Sequence, residues 1–143
     1  MRKMAVIFWS QTGNTEDMAR AIADGAAEAA EVSLLSVSEC SAAQVCGYEL
    51  LALGCPAMGD EILEPDEFEP FFTELEPKLK GHRVALFGSY GWGDGEWMRQ
   101  WERRVTAAGA LLYEGQGLTQ NEAPDEEGLE RCRAFGAGFA RFE

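Results

Sequence analysis

A doubly wound α/β domain is the fold this sequence predicts: a five-stranded parallel sheet in the order 2-1-3-4-5, with helices on both faces as a three-layer sandwich. Three observations predict it. Short continuous apolar runs alternate with longer stretches whose apolar residues recur at helical spacing. The runs show no alternation of apolar and polar residues, as strands covered on both faces require. The 143 residues, 46% apolar and 26% charged, have the size and composition of one globular domain, so residues 1–143 are read as a single unit.

The elements follow in order. Met4–Trp9 (MAVIFW) is the first strand, and Met18, Ile22, Ala26 and Ala29 stripe the helix behind it. Val32–Val37 reads as the second strand, Ala42–Cys46 as a short helix and Leu50–Gly54 (LLALG) as the third strand. Phe68, Phe71, Phe72, Leu75 and Leu79 form one helix face, with Pro70 tolerable in the first turn. Arg83–Ser89 is the fourth strand, and Trp97, Trp101 and Val105 line the helix after it. Ala110–Leu118 contains the fifth strand, and Leu129, Cys132, Gly136 and Phe139 line a last helix. Right-handed crossovers then bring the first and third strands side by side, with a crevice at their carboxyl ends.

Charge and cysteine content narrow the functions open to such a domain. A net charge of −13 argues against nucleic acid or an anionic membrane surface as partner and favours proteins with basic patches. No apolar run is long enough to span a bilayer, and no signal peptide is read, so the expected location is the cytoplasm. Cys40, Cys46, Cys55 and Cys132 show no C-x-x-C spacing, and His82 is the lone histidine. A metal site is therefore not expected, and the cysteines read as reduced thiols, mostly small buried hydrophobes.

Three loops follow strands one, three and four and converge on one rim. The first, Ser10-Gln11-Thr12-Gly13-Asn14-Thr15, offers three hydroxyls, two amides and the N–H groups of a helix N-terminus, and it holds no Lys or Arg. Such a loop can bind a phosphate through oriented dipoles alone. The second runs from Gly54 to Glu61 (GCPAMGDE) and the third from Gly88 to Glu96 (GSYGWGDGE). Each carries one large flat or polarisable side chain, Met58 or Trp92, among glycines that let backbone approach a ligand. A tryptophan at a glycine-flanked tip can cover one face of a planar ring whose phosphate tail reaches the first loop.

All three segments resemble the flavodoxins, and more narrowly the short-chain, clostridial-type members that bind FMN. The resemblance extends from Met4 to the last helix. It implies a low-potential one-electron carrier with non-covalent FMN and not an enzyme with its own substrate; a monomer is expected because a carrier needs its flavin edge exposed. Ser10, Gln11, Thr12, Gly13, Asn14 and Thr15 are then expected to hold the phosphate, with Ser89 near the phosphate or ribityl chain. Met58 and Trp92 are expected to flank the isoalloxazine ring. The Gly59–Asp60 peptide is expected to face flavin N5, and Glu61 to bond the pyrimidine edge around N3. Ala57, Tyr90, Gly91 and Gly93 are expected to contribute backbone contacts. The alternative is an FMN-dependent NAD(P)H/quinone reductase of the same fold, but the chain has no element left over for a substrate pocket. A response regulator is excluded, since the residues at the ends of strands one and three are Trp9-Ser10 and Gly54-Cys55 rather than carboxylates.

The acidic residues are read as one surface. Asp60, Glu61, Glu64, Asp66, Glu67, Glu69, Glu74 and Glu76 follow one another with no Lys or Arg between, and Asp94, Glu96, Glu122, Asp125, Glu126 and Glu127 lie on neighbouring loops. Around a flavin this field opposes added electrons and steers the rim toward redox proteins with basic docking patches.

Overall fold

The computed structural model describes all residues, Met1–Glu143. The elements are β1 (Arg2–Phe8), α1 (Asn14–Ala26), β2 (Ala30–Ser36), α2 (Ala42–Val45), β3 (Leu50–Gly54), α3 (Phe68–Leu75), β4 (Arg83–Tyr90), α4 (Glu96–Ala107), β5 (Leu111–Leu112), β6 (Leu118–Asn121) and α5 (Glu126–Phe139). The sheet is parallel throughout, in the order β2-β1-β3-β4, with β5 and β6 both pairing the outer side of β4. Phe8, Gly54, Phe87 and Leu118 are level across the ladder. The carboxyl ends therefore finish together, and the loops that follow β1, β3 and β4 share one rim.

Two cores fill the space between sheet and helices. On one face Ile7, Leu51, Leu53 and Leu86 pack against Phe68, Phe72, Trp97 and Trp101 of α3 and α4. Phe68 and Phe72 meet Trp101 edge-on, at ring-centre separations of 5.4 and 5.9 Å, the arrangement that aromatic quadrupoles favour. On the other face Val6, Leu50, Ala52 and Phe87 meet Met18, Ile22, Phe135 and Phe139 of α1 and α5. Each large side chain buried this way contributes about 1.5–3 kcal/mol. No helix is long and apolar enough to cross a membrane.

Several boundaries differ from the sequence reading, four of them next to a feature visible in the structure. Strand β1 ends at Phe8 rather than Trp9, although Trp9 N–H still donates to Gly54 O at 3.0 Å. Strand β2 stops at Ser36, because Ser36 and Glu39 form a reciprocal capping box that starts a 3₁₀ turn at Val37. Helix α3 gives way at Leu75 to a 3₁₀ turn containing Pro77, though Leu79 remains fully buried. The fifth strand is split: Glu114 (φ 62°) and Gly115 (φ 71°) adopt left-handed backbone, which ends β5 after two residues. Gly117 N–H is then held by the Glu102 carboxylate at 2.8 Å before β6 resumes beside β4.

Candidate functional site

Helix N-termini leave their first N–H groups without intrahelical acceptors, and four of the five helices here satisfy them with a side chain. Ser41 caps α2 through Gln44 N–H, and Asp125 caps α5 through Gly128 N–H. The Glu64 carboxylate closes α3, accepting from Asp66, Glu67 and Phe68 N–H at 2.8, 2.7 and 2.8 Å. Glu61 closes α4, its Oε1 accepting from Gly95 and Glu96 N–H at 3.2 and 3.0 Å. Helix α1 alone is left open. Its N-cap is Gly13 (φ 99°), which has no side chain to offer, and no protein group accepts from Asn14, Thr15 or Glu16 N–H. The nearby cation, Arg20, is already paired with Glu16 at 2.6 Å.

This open end faces a cleft of about 210 Å³ lined by Ser10, Gln11, Thr12, Asn14, Thr15, Ala57, Met58, Ser89, Tyr90, Gly91 and Trp92, together with Pro56 and Glu122. The floor is fixed by hydrogen bonds within and between the loops. Thr15 Oγ1 and Ser89 Oγ lie 2.9 Å apart, and both residues are buried. Ser10 Oγ accepts from Gly13 N–H at 3.1 Å, and Ala57 N–H donates to Ser89 O at 3.0 Å. These contacts join all three rim loops. Gly88 is obligatory at the junction, since a Cβ there would collide with the Cys55 carbonyl.

Above the floor stand the two loops expected to flank a ring. Met58 and Ile62 exchange two backbone hydrogen bonds, 2.9 and 3.0 Å, closing a turn in which Gly59 (φ 48°) and Glu61 (φ 57°) are left-handed. Trp92 is 59% exposed, and its Nε1–H donates to Gly59 O at 3.2 Å. Gly59, Asp60, Glu61, Gly93 and Gly13 do not line the cleft, but they shape the loops that do. Gly93 leaves room for the Glu61 carboxylate, which would lie 2.5 Å from a Cβ at that position. The sequence places Glu122 only in the acidic surface. It enters the cleft because its N–H donates to Tyr90 O at 2.8 Å, continuing the β4–β6 ladder past Asn121.

The single acidic surface needs correction. Glu64 is buried and serves α3. Arg104 holds Glu69 bidentately, both bonds at 2.8 Å, and also reaches Glu76 at 3.0 and 3.2 Å while lying over the Phe72 ring. The Arg104 hydrogen bonds hold the Glu69 carboxyl below the usual range and push the Arg104 guanidinium up. Arg99 binds Asp94 and Glu96, and Glu67 accepts from Trp9 Nε1–H at 3.0 Å. Asp60, Asp66, Glu74 and Glu122 remain exposed and engaged by no basic side chain. All three lysines, Lys3, Lys78 and Lys80, lie at the amino ends of the strands, away from the rim and outside any ion pair.

The four cysteines are free. Burial pushes the Cys40 and Cys132 thiols up to about 11, and raises fully buried Cys55 further still. Cys55 is a strut: its Sγ accepts from Glu64 N–H and its carbonyl from Trp97 Nε1–H.

Fold and rim together define a doubly wound domain of the kind that takes up a phosphorylated planar cofactor. A sequence model described as flavodoxin matches residues 6–136. The flavodoxin of Clostridium beijerinckii is 47% identical over 96% of this chain and 99% of its own, and that of Megasphaera elsdenii 44% identical over 95% and 97%. The solution structure of two-electron reduced Megasphaera elsdenii flavodoxin superposes with a TM-score of 0.88 at 42% identity, covering 97% of this chain and 99% of that one. The chain belongs to the flavodoxin family. It is an FMN-binding electron carrier that holds its cofactor non-covalently and passes electrons to redox partner proteins. Its similarity to flavodoxins does not favour the reductase alternative. The donors fit the cofactor: three N–H groups without acceptors at an uncapped helix suit a phosphate.

Proposed function

We propose that the open end of α1 receives the FMN phosphate and that the turn after β3 and the loop after β4 clasp the isoalloxazine ring. The observation that supports this reading is the contrast among helix termini, with α1 alone free to meet an anion. FMN supplies one- and two-electron redox chemistry, and the chain's residues bind and orient it. The Asn14, Thr15 and Glu16 N–H groups, with the Ser10, Thr12 and Thr15 hydroxyls and the Gln11 and Asn14 amides, form the phosphate cradle. Of the two protons shared by Thr15 and Ser89, one joins the hydroxyls and the other is free for an acceptor in the cleft. Met58 and Trp92 cover the two ring faces, and Ala57, Tyr90, Gly91 and Gly93 shape the backbone beside it. Glu61, fixed to α4 through Oε1, keeps Oε2 for the pyrimidine N3–H, and the Gly59–Asp60 peptide faces N5.

No cation neutralises this phosphate, so affinity rests on hydrogen bonds to a charged group, each worth about 1.5–3 kcal/mol. Thr12→Ala and Thr15→Val should each weaken FMN by about tenfold or more and riboflavin far less. Equal losses for both ligands would remove the phosphate from this loop.

The unpaired rim carboxylates Asp60 and Glu122 support a low reduction potential, because they oppose negative charge arriving in the cleft. With the lysines gathered at the opposite end, they also support docking rim-first on a basic patch of the redox partner. The combined Asp60→Asn and Glu122→Gln variant should have a raised midpoint potential. Transfer to a basic partner should slow as salt is added. The domain is read as a monomer working in the cytoplasm, since a carrier needs its flavin edge free to meet partners in turn.

A further inference from the structure

Trp92 rides on a loop with little intrinsic reason to hold still. Three of the five residues Gly91–Gly95 are glycine, and Gly93 (φ 81°) and Gly95 (φ 93°) are left-handed. Glycine backbone has the most freedom to lose when a loop is fixed. From within, Trp92 contributes only the 3.2 Å bond from its indole to Gly59 O.

Outside support comes from Glu61, which accepts from Gly95 N–H at 3.2 Å at the end of the loop, and from Arg99, one turn into α4. The three guanidinium nitrogens of Arg99 are all engaged: NH1 donates to Asp94 O at 3.0 Å, NH2 to Asp94 Oδ1 at 2.9 Å, and Nε to Glu96 Oε1 at 2.9 Å. The fork thus grips both the carbonyl and the carboxylate of one loop residue, a grip that the point charge of lysine cannot reproduce. The Arg99 and Asp94 side chains are 47% and 79% exposed, and exposed ion pairs add little to global stability. The grip acts instead on the range of loop conformations. Arg103, also bonded to Glu96 at 3.2 Å, makes no hydrogen bond to Gly91–Gly95 and provides a control on the same helix face.

We propose that Arg99 is a positioning residue for the flavin site: by fixing the main chain at Asp94 it holds Trp92 over the Gly59 turn, in the orientation that covers the ring. This rests on the reading that Trp92 flanks the isoalloxazine.

The test is a double-mutant cycle of Trp92→Ala and Arg99→Ala, with Arg103→Ala as control. FMN and riboflavin dissociation constants are measured by flavin fluorescence, and amide hydrogen exchange of Gly91–Gly95 is followed in FMN-free protein. Arg99→Ala should weaken FMN and riboflavin alike by about fivefold, a coupling typical of groups in one network, and speed exchange in the loop. Arg99→Lys should recover only part of the loss, and Arg103→Ala should stay within about twofold of the parent. In the Trp92→Ala background the Arg99 substitution should cost less than about twofold. If Trp92→Ala weakens both ligands while Arg99→Ala does not, the positioning role is wrong and the ring assignment stands. If Arg99→Ala loses as much affinity in the Trp92→Ala background, Arg99 acts by some route other than Trp92, and the proposal falls. If Trp92→Ala leaves both affinities unchanged, the ring assignment fails and the proposal fails with it.

Discussion

Helices α1, α3 and α4 all begin at the carboxyl rim of the sheet, and they are finished in opposite ways. At α3 and α4 a glutamate from the preceding chain or from a neighbouring loop lies on the first N–H groups, at 2.7–3.2 Å. At α1 the cap position is a glycine, and the hydroxyls stand around the N–H groups without closing them. A helix N-terminus carries about half a positive charge and attracts whichever anion reaches it. The protein's own carboxylates fill two of these ends and make them structural; the third is left open. In a chain of net charge −13, the decisive feature is where carboxylates are absent rather than where they are abundant.

The largest effect is expected from giving α1 what the other two ends already have. Thr12→Asp brings a carboxylate to the open end, where it competes with the phosphate. A unit charge pair about 4 Å apart interacts by about 4 kcal/mol at an effective dielectric of 20. FMN affinity should fall by more than about 100-fold. Riboflavin affinity should change by less than about threefold. Fluorescence titration with both ligands checks this.

The converse is to open an end that is closed. Glu64→Gln replaces a buried charged acceptor of three N–H groups with an amide whose NH₂ cannot accept. A loss of about 2–3 kcal/mol in urea unfolding is expected, with FMN affinity of the folded protein nearly unchanged. A stable variant would mean that Glu64 does not hold α3.

Gly93→Ala tests the link between Glu61 and α4. A methyl group here meets the Glu61 carboxylate and forces a left-handed alanine, a strain of about 1–3 kcal/mol. FMN and riboflavin should weaken together by about tenfold, since the ring loops move while the phosphate loop does not. A loss confined to FMN would contradict this division.

The smallest effect concerns pH. Glu69 has its carboxyl lowered in the folded protein by Arg104, so its contribution to stability is present at neutral pH. That contribution is lost as pH falls below the ordinary glutamate value of about 4.3 and through the lowered folded value. The pair is more than a third exposed on the Glu69 side, so screening keeps the contribution to a few tenths of a kcal/mol up to about 1. Glu69→Gln should flatten the acid limb of the stability profile by that amount.

Much of this was legible in the sequence. Continuous apolar runs placed the central strands β1, β3 and β4, because strands covered on both faces tolerate little else. The edge was harder: the left-handed Glu114 that splits the last strand carries no glycine-like signal, and the Gly115 beside it was not read as a break. The three rim loops stood out through their glycines, hydroxyls and single large side chains. The roles of the carboxylates did not. Glu61 reaches Gly95 across more than thirty residues, a contact that only the folded rim creates. The local closure of α3 by Glu64, within four residues, was hidden in a run of acids that looked like one solvated face. Glu122 could be assigned to the cleft only once β6 was seen to extend alongside Tyr90.

The amide resonances of Asn14, Thr15 and Glu16 offer the sharpest single measurement. In ¹⁵N–¹H correlation spectra of apoprotein titrated with FMN and, separately, with riboflavin, a phosphate at the open end of α1 should move these three amides strongly downfield with FMN. They should scarcely move with riboflavin, whereas the Gly59 and Trp92 signals respond to both. Equal shifts of the three amides with the two ligands, or none with FMN, would show that the phosphate is not held at the end of α1.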